Sequence, residues 1–312
     1  MNLFIFICQQ TLIFLVPLLL VGLGDLFSER SGVLNIALEG IMVFGAFAGI
    51  MFIRSASAAM PSWLVLLIAI LISILAGILL SSLHAFASIH LKAEQTISST
   101  AIITFATAFC IFYARVMLGT EQVVFRNTFR IDAVPLLSKI PVLGPILFQK
   151  AYVTTYLGIL VLIVTAFILK RTRFGLRLRS CGENPQAADS VGISVYKMRY
   201  AGVLISGALA GLGGLVFILP TTTTYTASVS GYGFLAMSVV VFGQWKPWGI
   251  ALALCLRPDE SHCRVRIPLS RSSYNLGIPE GLLQDAPLCG NADRSGVLHE
   301  ALQCARRHWR SL

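Results

Sequence analysis

The sequence predicts an all-α, polytopic membrane protein, and three observations carry that reading. Of 312 residues, 56% are hydrophobic and only 12% are charged, and the mean hydropathy is +0.80, far above that of a soluble globular chain. Apolar runs long enough to cross about 30 Å of hydrocarbon, roughly 20 residues each, recur along the chain. The charges that remain gather between those runs.

The runs fall at about 8–24, 33–54, 61–83, 96–119, 151–169 and 200–220, with a shorter pair between 234 and 255, giving about eight membrane segments. No basic stretch precedes the first run and no small-residue cleavage site follows it, so it is expected to stay as a permanent helix. Between the first two runs stand Glu29, Arg30, Asn35 and Glu39, with Gly32 and Gly40 able to break a helix or let it pack closely. Ionisable groups near membrane depth are expensive and face a protein interior or a watery path. A broken helix near 25–40 whose freed backbone lines a cavity is one reading; pairing of Glu29 with Arg30 at the interface is the other. Asn35 and Glu39 are the candidate residues of a translocation path.

The segment 170–199 carries Lys170, Arg171, Arg173, Arg177, Arg179, Lys197 and Arg199 against Glu183 and Asp189. This basic excess places it in the cytoplasm, and counting spans back from it leaves the N-terminus outside. The longer loop 120–150, which contains "VPLLSKIPVLGPI", then falls on the opposite side. Within the basic segment, "NPQAADSVG" predicts a helix of about two turns. Asn184 is its N-cap and Pro185 its first position, where a missing N–H costs nothing. Ala187 and Ala188 continue it, and Gly192 suits the left-handed position at its end. A helix this short needs packing to gain order, so it is either a docking element or a plain connector.

Other residues point to ordinary roles. Gly207, Gly211, Gly213 and Gly214 are small-residue packing positions of a membrane helix. The seven cysteines show no CxxC spacing and read as packing residues. His84 and His90 lie beside a loop, no ligand-spaced set argues for a metal, and the basic residues are not interleaved with aromatics as a nucleic-acid face would be. No GxxxxGK[ST] pattern is present to bind ATP, and no HExxH or GxSG pattern argues for an intramembrane enzyme.

Two stretches carry a resemblance. "GENPQAADSVGISVYKMRYAGVLISGALAGLGG", from Gly182, is similar to the coupling segment and following helix of permease subunits of ATP-binding-cassette importers, in the group that holds ribose, nucleoside and branched-chain amino acid permeases. "ERSGVLNIALEGIMVFGAFAG", from Glu29, resembles the N-terminal hallmark of the simple-sugar and nucleoside branch. The resemblance covers residues 12–254 and departs most at 85–119, where Ser99 stands in place of an expected glycine.

The resemblance implies a prokaryotic plasma-membrane subunit of about ten segments, without cofactor or catalytic group. It would translocate a nucleoside or simple sugar beside a second, homologous or identical permease. A separate ATP-binding subunit would receive Gly182, Glu183, Asn184, Pro185, Ala187, Ala188 and Gly192, and an extracytoplasmic substrate-binding protein would deliver the substrate. An ion-coupled secondary transporter is the alternative, for which only Glu39, with Asp25 and Glu29 at the margin, could supply coupling carboxylates. An echo between "SGVLNIALEGIMVFGAFAG" from Ser31 and "SGYGFLAMSVVVFGQWKPWG" from Ser230, with Ala37 matching Ala236, predicts a pair of inverted repeats.

The permease domain is therefore expected to span 1–255. Residues 256–312 contain no Phe and no Lys but eight Arg. Three accounts compete for them: a soluble tail, a disordered interaction tail, or translation in a shifted frame. Permitted codons read one nucleotide later turn "LCLRPDESHCRVRIPLS" into strings such as "FAFGLMKAIAVYASHLA", so the expectation is a non-native tail after a frameshift near 252–255.

Overall fold

The computed structural model describes residues 2–56, 60–125 and 153–256. The outer loop expected at 120–150 lies outside the described residues beyond Phe125, and so does the tail 257–312.

Apolar composition becomes helix because backbone groups in lipid must be satisfied within the segment. The helices are α1 (Asn2–Arg30), α2 (Leu38–Ser55), α3 (Ser62–Ala85, continued by a π-helical turn Phe86–His90), α4 (Gln95–Leu118), α5 (Val153–Arg171), α6 (Arg173–Glu183), α7 (Pro185–Ser190), α8 (Val195–Thr221), α9 (Tyr232–Phe242) and α10 (Pro247–Leu256). Six of them are long and apolar enough to cross a membrane. With the shorter α9 and α10 they account for the eight apolar segments. Two short strands, β1 (Val123–Val124) and β2 (Thr224–Tyr225), pair antiparallel.

Two boundaries differ from the sequence reading. The helix α1 runs past its apolar stretch to Arg30, and Asp25 and Ser28 in that extension are both fully buried rather than at a surface. The basic segment, expected as a loop with one short helix, is mostly helical. There α6 turns Leu178 and Cys181 inward, and Thr172 caps it by accepting from Gly175 N at 3.2 Å.

The helix α8 is the hub, packed on α1, α2 and α3. Its glycines make this possible: a Cβ on Gly214 would strike the Met42 carbonyl of α2, one on Gly207 would strike Ser81 of α3, and one on Gly213 would strike Val21 of α1. Backbones approach this closely only where side chains are absent.

The junctions α1–α2, α3–α4 and α5–α8 share one end of the bundle. There Gly32 turns the chain at φ +83°, and Leu34 N donates to Gln95 Oε1 at 2.8 Å. This end carries the basic residues 170–199 and is called the cytoplasmic end after the positive-inside rule. At the other end, Arg54 Nη1 reaches the Val124 carbonyl beside the β1–β2 pair. After β2 the chain returns alongside α2: Tyr225 Oη donates to the Val43 carbonyl at 2.7 Å, and Gly231 and Gly233 lie one turn earlier, at Glu39. From there α9 runs back to the cytoplasmic end, where Trp245 meets Arg30. Among the described residues, the chain leaves helical form between α1 and α2 at 31–37 and between α8 and α9 at 222–231.

Candidate coupling site and membrane path

Local sequence builds α7 as its residues predict. The Asn184 side chain accepts from Ala187 N at 3.1 Å, Pro185 holds the first turn, and Gly192 closes it at φ +83°. Its faces divide unevenly. Ala188 is 4% exposed and packs into the chain, whereas Ala187 is exposed and Val191 is 79% exposed. Val191, absent from the sequence-predicted set, is the apolar side chain that α7 offers outward. An apolar residue just before the helix-ending glycine was the signal available for it.

Gly182 and Glu183, at the foot of α7, meet the other hallmark directly. A Cβ on Gly182 would strike the Arg30 carbonyl, and one on Gly32 would sit 3.4 Å from Gly182 Cα. Arg30 Nη1 lies 3.5 Å from Glu183 Oε1, and Arg30 Nη2 donates to the Trp245 carbonyl at 3.0 Å. The Trp245 indole N–H donates to Glu29. These groups, with Gln95 and Arg179, line a cavity of about 510 Å³ open at the cytoplasmic end. Just behind them, burial raises the Cys181 thiol above its usual range, opposed by the Arg199 guanidinium. Glu29 and Arg30 therefore do not pair only with each other, as one sequence reading had it; each takes a partner from a distant segment.

The two path candidates lie apart from this cluster. Asn35 is fully buried, and its Nδ2 donates to Ser206 Oγ at 3.1 Å. Glu39 sits in the first turn of α2 and accepts from Gly231 N at 2.9 Å and Gly233 N at 2.7 Å. Its carboxylate thereby caps α9, where orphan N–H groups and the helix dipole both favour negative charge. The stretches from Ser31 and Ser230, paired by their sequence echo, are thus in contact. Two further polar groups, His84, read from the sequence as lying beside a loop, and Asp25, read as standing at the margin of a membrane segment, are fully buried. His84 lies between Ser98 Oγ at 3.2 Å and the Leu34 carbonyl at 3.1 Å. Asp25 is fully buried with neither carboxylate oxygen hydrogen-bonded. Among the described residues, no three of His, Cys, Asp and Glu converge to hold a metal ion.

The profile of the family described as "Branched-chain amino acid transport system / permease component" matches residues 7–256. The nucleoside ABC transporter permease protein NupC of Lactococcus lactis subsp. cremoris is 41% identical over 254 residues, spanning 80% of this chain and 79% of that protein. The guanosine ABC transporter permease protein NupQ of Bacillus subtilis is 45% identical over 249 residues, 78% and 76% of the two chains. A putative glucose ABC transporter permease protein, TsgC13 of Haloferax volcanii, is 35% identical over 236 residues, 74% and 68%. No solved structure matches. A helical bundle with six membrane-length helices, both hallmarks in contact at its cytoplasmic end, and a profile match over most of its length identify the chain as an ABC-transporter permease subunit of the prokaryotic plasma membrane, belonging to the family of branched-chain amino acid transport system permease components.

Proposed function

We propose that this chain is the subunit through which an ATP-driven importer passes a nucleoside across the membrane, hydrolysing nothing itself. Two relatives above 40% identity are named for nucleoside and guanosine transport, which supports a nucleoside over a sugar and sets the ion-coupled alternative aside. A separate ATP-binding subunit engages α7, a substrate-binding protein serves the opposite face, and a homologous or identical permease completes the pair.

The observation that carries the coupling assignment is the division of α7, with Ala188 turned in and Ala187 and Val191 turned out. Small exposed residues allow close approach to a groove, and Gly182, Glu183, Asn184, Pro185 and Gly192 fix the helix that presents them. In the chain with its reading frame restored near Leu254, Val191→Arg is expected to abolish co-purification of the ATP-binding subunit while leaving membrane insertion and folded yield unchanged. Ala188→Arg is expected to lower folded yield instead, because it forces a charge into a packed site. Intact co-purification in Val191→Arg, with normal guanosine uptake, sinks the assignment.

Asn35 and Glu39 are proposed to border the path, Glu39 at the point where the returning chain begins α9. In the same frame-restored chain, Glu39→Gln keeps one acceptor for the two glycine N–H groups, so uptake should fall further than folded yield. Parallel loss of both would leave Glu39 a cap alone.

Residues 256–312 are proposed to be non-native, the product of a shifted frame, with 1–255 as the permease domain. The composition change after Cys255 and a family match that stops at residue 256 support this. Eight arginines at about 2.5–3.5 kcal/mol each near mid-membrane forbid insertion of this stretch. The chain is therefore expected not to transport, and restoring one nucleotide near Leu254 is expected to restore uptake. Equal uptake by the two forms refutes the shift.

A further inference from the structure

The cluster at the cytoplasmic end joins three segments far apart in sequence. Arg30, at the end of α1, is shared between Glu183 at the foot of α7 and the Trp245 carbonyl in the α9–α10 turn. Trp245 returns a second bond to Glu29, one residue before Arg30. The backbones beneath are pressed together, since Gly182 leaves no room for a Cβ against the Arg30 carbonyl.

An independent feature points to the same turn. Gln244 and Trp245 both hold left-handed backbone, at φ +53° and +51°. Two consecutive non-glycine residues in this region are strained, and strain persists where surrounding contacts over-determine it. Here the strained geometry turns the Trp245 carbonyl to Arg30 and its indole to Glu29. Relaxing the turn would release both.

We propose that Glu29, Arg30, Glu183 and Trp245 form a relay that makes the foot of the coupling helix and the α9–α10 turn move as one body. The functional side of this inference rests on the proposed docking of α7 to an ATP-binding subunit. Through the relay, displacement of α7 reaches α9 directly, without passing along α8. Because α9 starts at Glu39, the same displacement is delivered to the returning segment beside α2. A rigid link of this kind transmits a small shift at one site because packed contacts move together rather than deform.

Spin labels on Asp189→Cys and Lys246→Cys, both at exposed positions, report the distance across the relay. They are placed in the full chain with its seven cysteines replaced by alanine. The native chain is expected to give one narrow distance that does not change when the ATP-binding subunit and a non-hydrolysable ATP analogue are added. Trp245→Phe keeps an aromatic ring and the carbonyl but removes the N–H donated to Glu29, and Arg30→Gln removes the charge shared by Glu183 and the turn. Each is expected to broaden the distance in the isolated chain and to make it shift on nucleotide addition, while Arg30→Lys keeps it narrow. A native distance that shifts with nucleotide, or variants that stay narrow and fixed, overturns the relay. Should Arg30→Gln fail to fold, Trp245→Phe decides; loss of folded protein in both assigns these contacts to stability alone and also overturns it. Failure of the ATP-binding subunit to co-purify with the native chain counts against the docking of α7, and the nucleotide-free distances then still decide whether the relay exists.

Discussion

The helices α8 and α4 are both apolar and both long enough to span a membrane, yet 78% of the most apolar stretch of α8 is buried against 22% for α4. The difference lies in side-chain size. Along α8, Gly202, Gly207, Gly211, Gly213 and Gly214 each bring neighbouring backbone or side chains to contact. Along α4, Phe105, Phe109 and Phe112 point outward, and the hydroxyl of Thr104 turns back to the Thr100 carbonyl at 3.0 Å. Lipid is as apolar as a protein core, so hydrophobicity does not decide which helix goes inside. Close packing and buried hydrogen bonds do.

The comparison can be broken most severely at Gly211, whose Cβ would collide with the Ser73 carbonyl and lie 3.1 Å from Gly77 Cα. Gly211→Leu is expected to cost about 3 kcal/mol or more, read as loss of monodisperse folded protein after detergent extraction. An unchanged yield would show that α8 is not held by backbone contact. A smaller effect is expected at Ser73, whose hydroxyl reaches the Gly45 carbonyl at 2.8 Å and the Gly211 carbonyl at 2.7 Å, tying α3 to α2 and α8. Ser73→Ala should lower stability by about 0.5–1 kcal/mol, visible as a lower midpoint in thermal unfolding in detergent. The smallest effect is expected on α4, where Thr104→Val replaces a self-satisfied hydroxyl with a methyl. Its midpoint should stay within about 0.5 kcal/mol of the native value; a larger drop would mean that this face is covered by a partner.

Much of the fold is legible in the sequence because two of its signals are local. Span length follows from hydropathy, and the packing role of Gly207, Gly211, Gly213 and Gly214 follows from residue size. Within α7, the Asn184 cap, Pro185 and Gly192 all act within a turn of their own position, and the geometry follows them. The helix α6 was equally available, since Phe174, Leu178 and Cys181 recur at helical spacing, but the density of arginines masks the period. The pairing of Gly32 with Gly182 is a different matter. Each glycine looks like a turn residue, and nothing local says that two turns some 150 positions apart share one site. Likewise, Glu39 in an apolar run signals cost without naming its partners, because those partners are backbone N–H groups that any residue carries. The inward aspect of Ala188 also depends on what α7 packs against, and an Ala-Ala pair gives no hint of it.

The cap that Glu39 places on α9 has a consequence for biosynthesis. Gly231 lies 192 positions downstream of Glu39, so the carboxylate is inserted long before its donors exist. At about 5–20 residues per second, the interval is about 10–40 s, during which the nascent chain holds an acidic group at a helix end with neither glycine N–H to receive. Through that window water, a proton or an insertion factor must shelter the group. A ribosome stalled between residues 221 and 231 would therefore leave a chain in which α1 to α8 are complete and the Glu39 carboxylate still lacks both of its glycine donors.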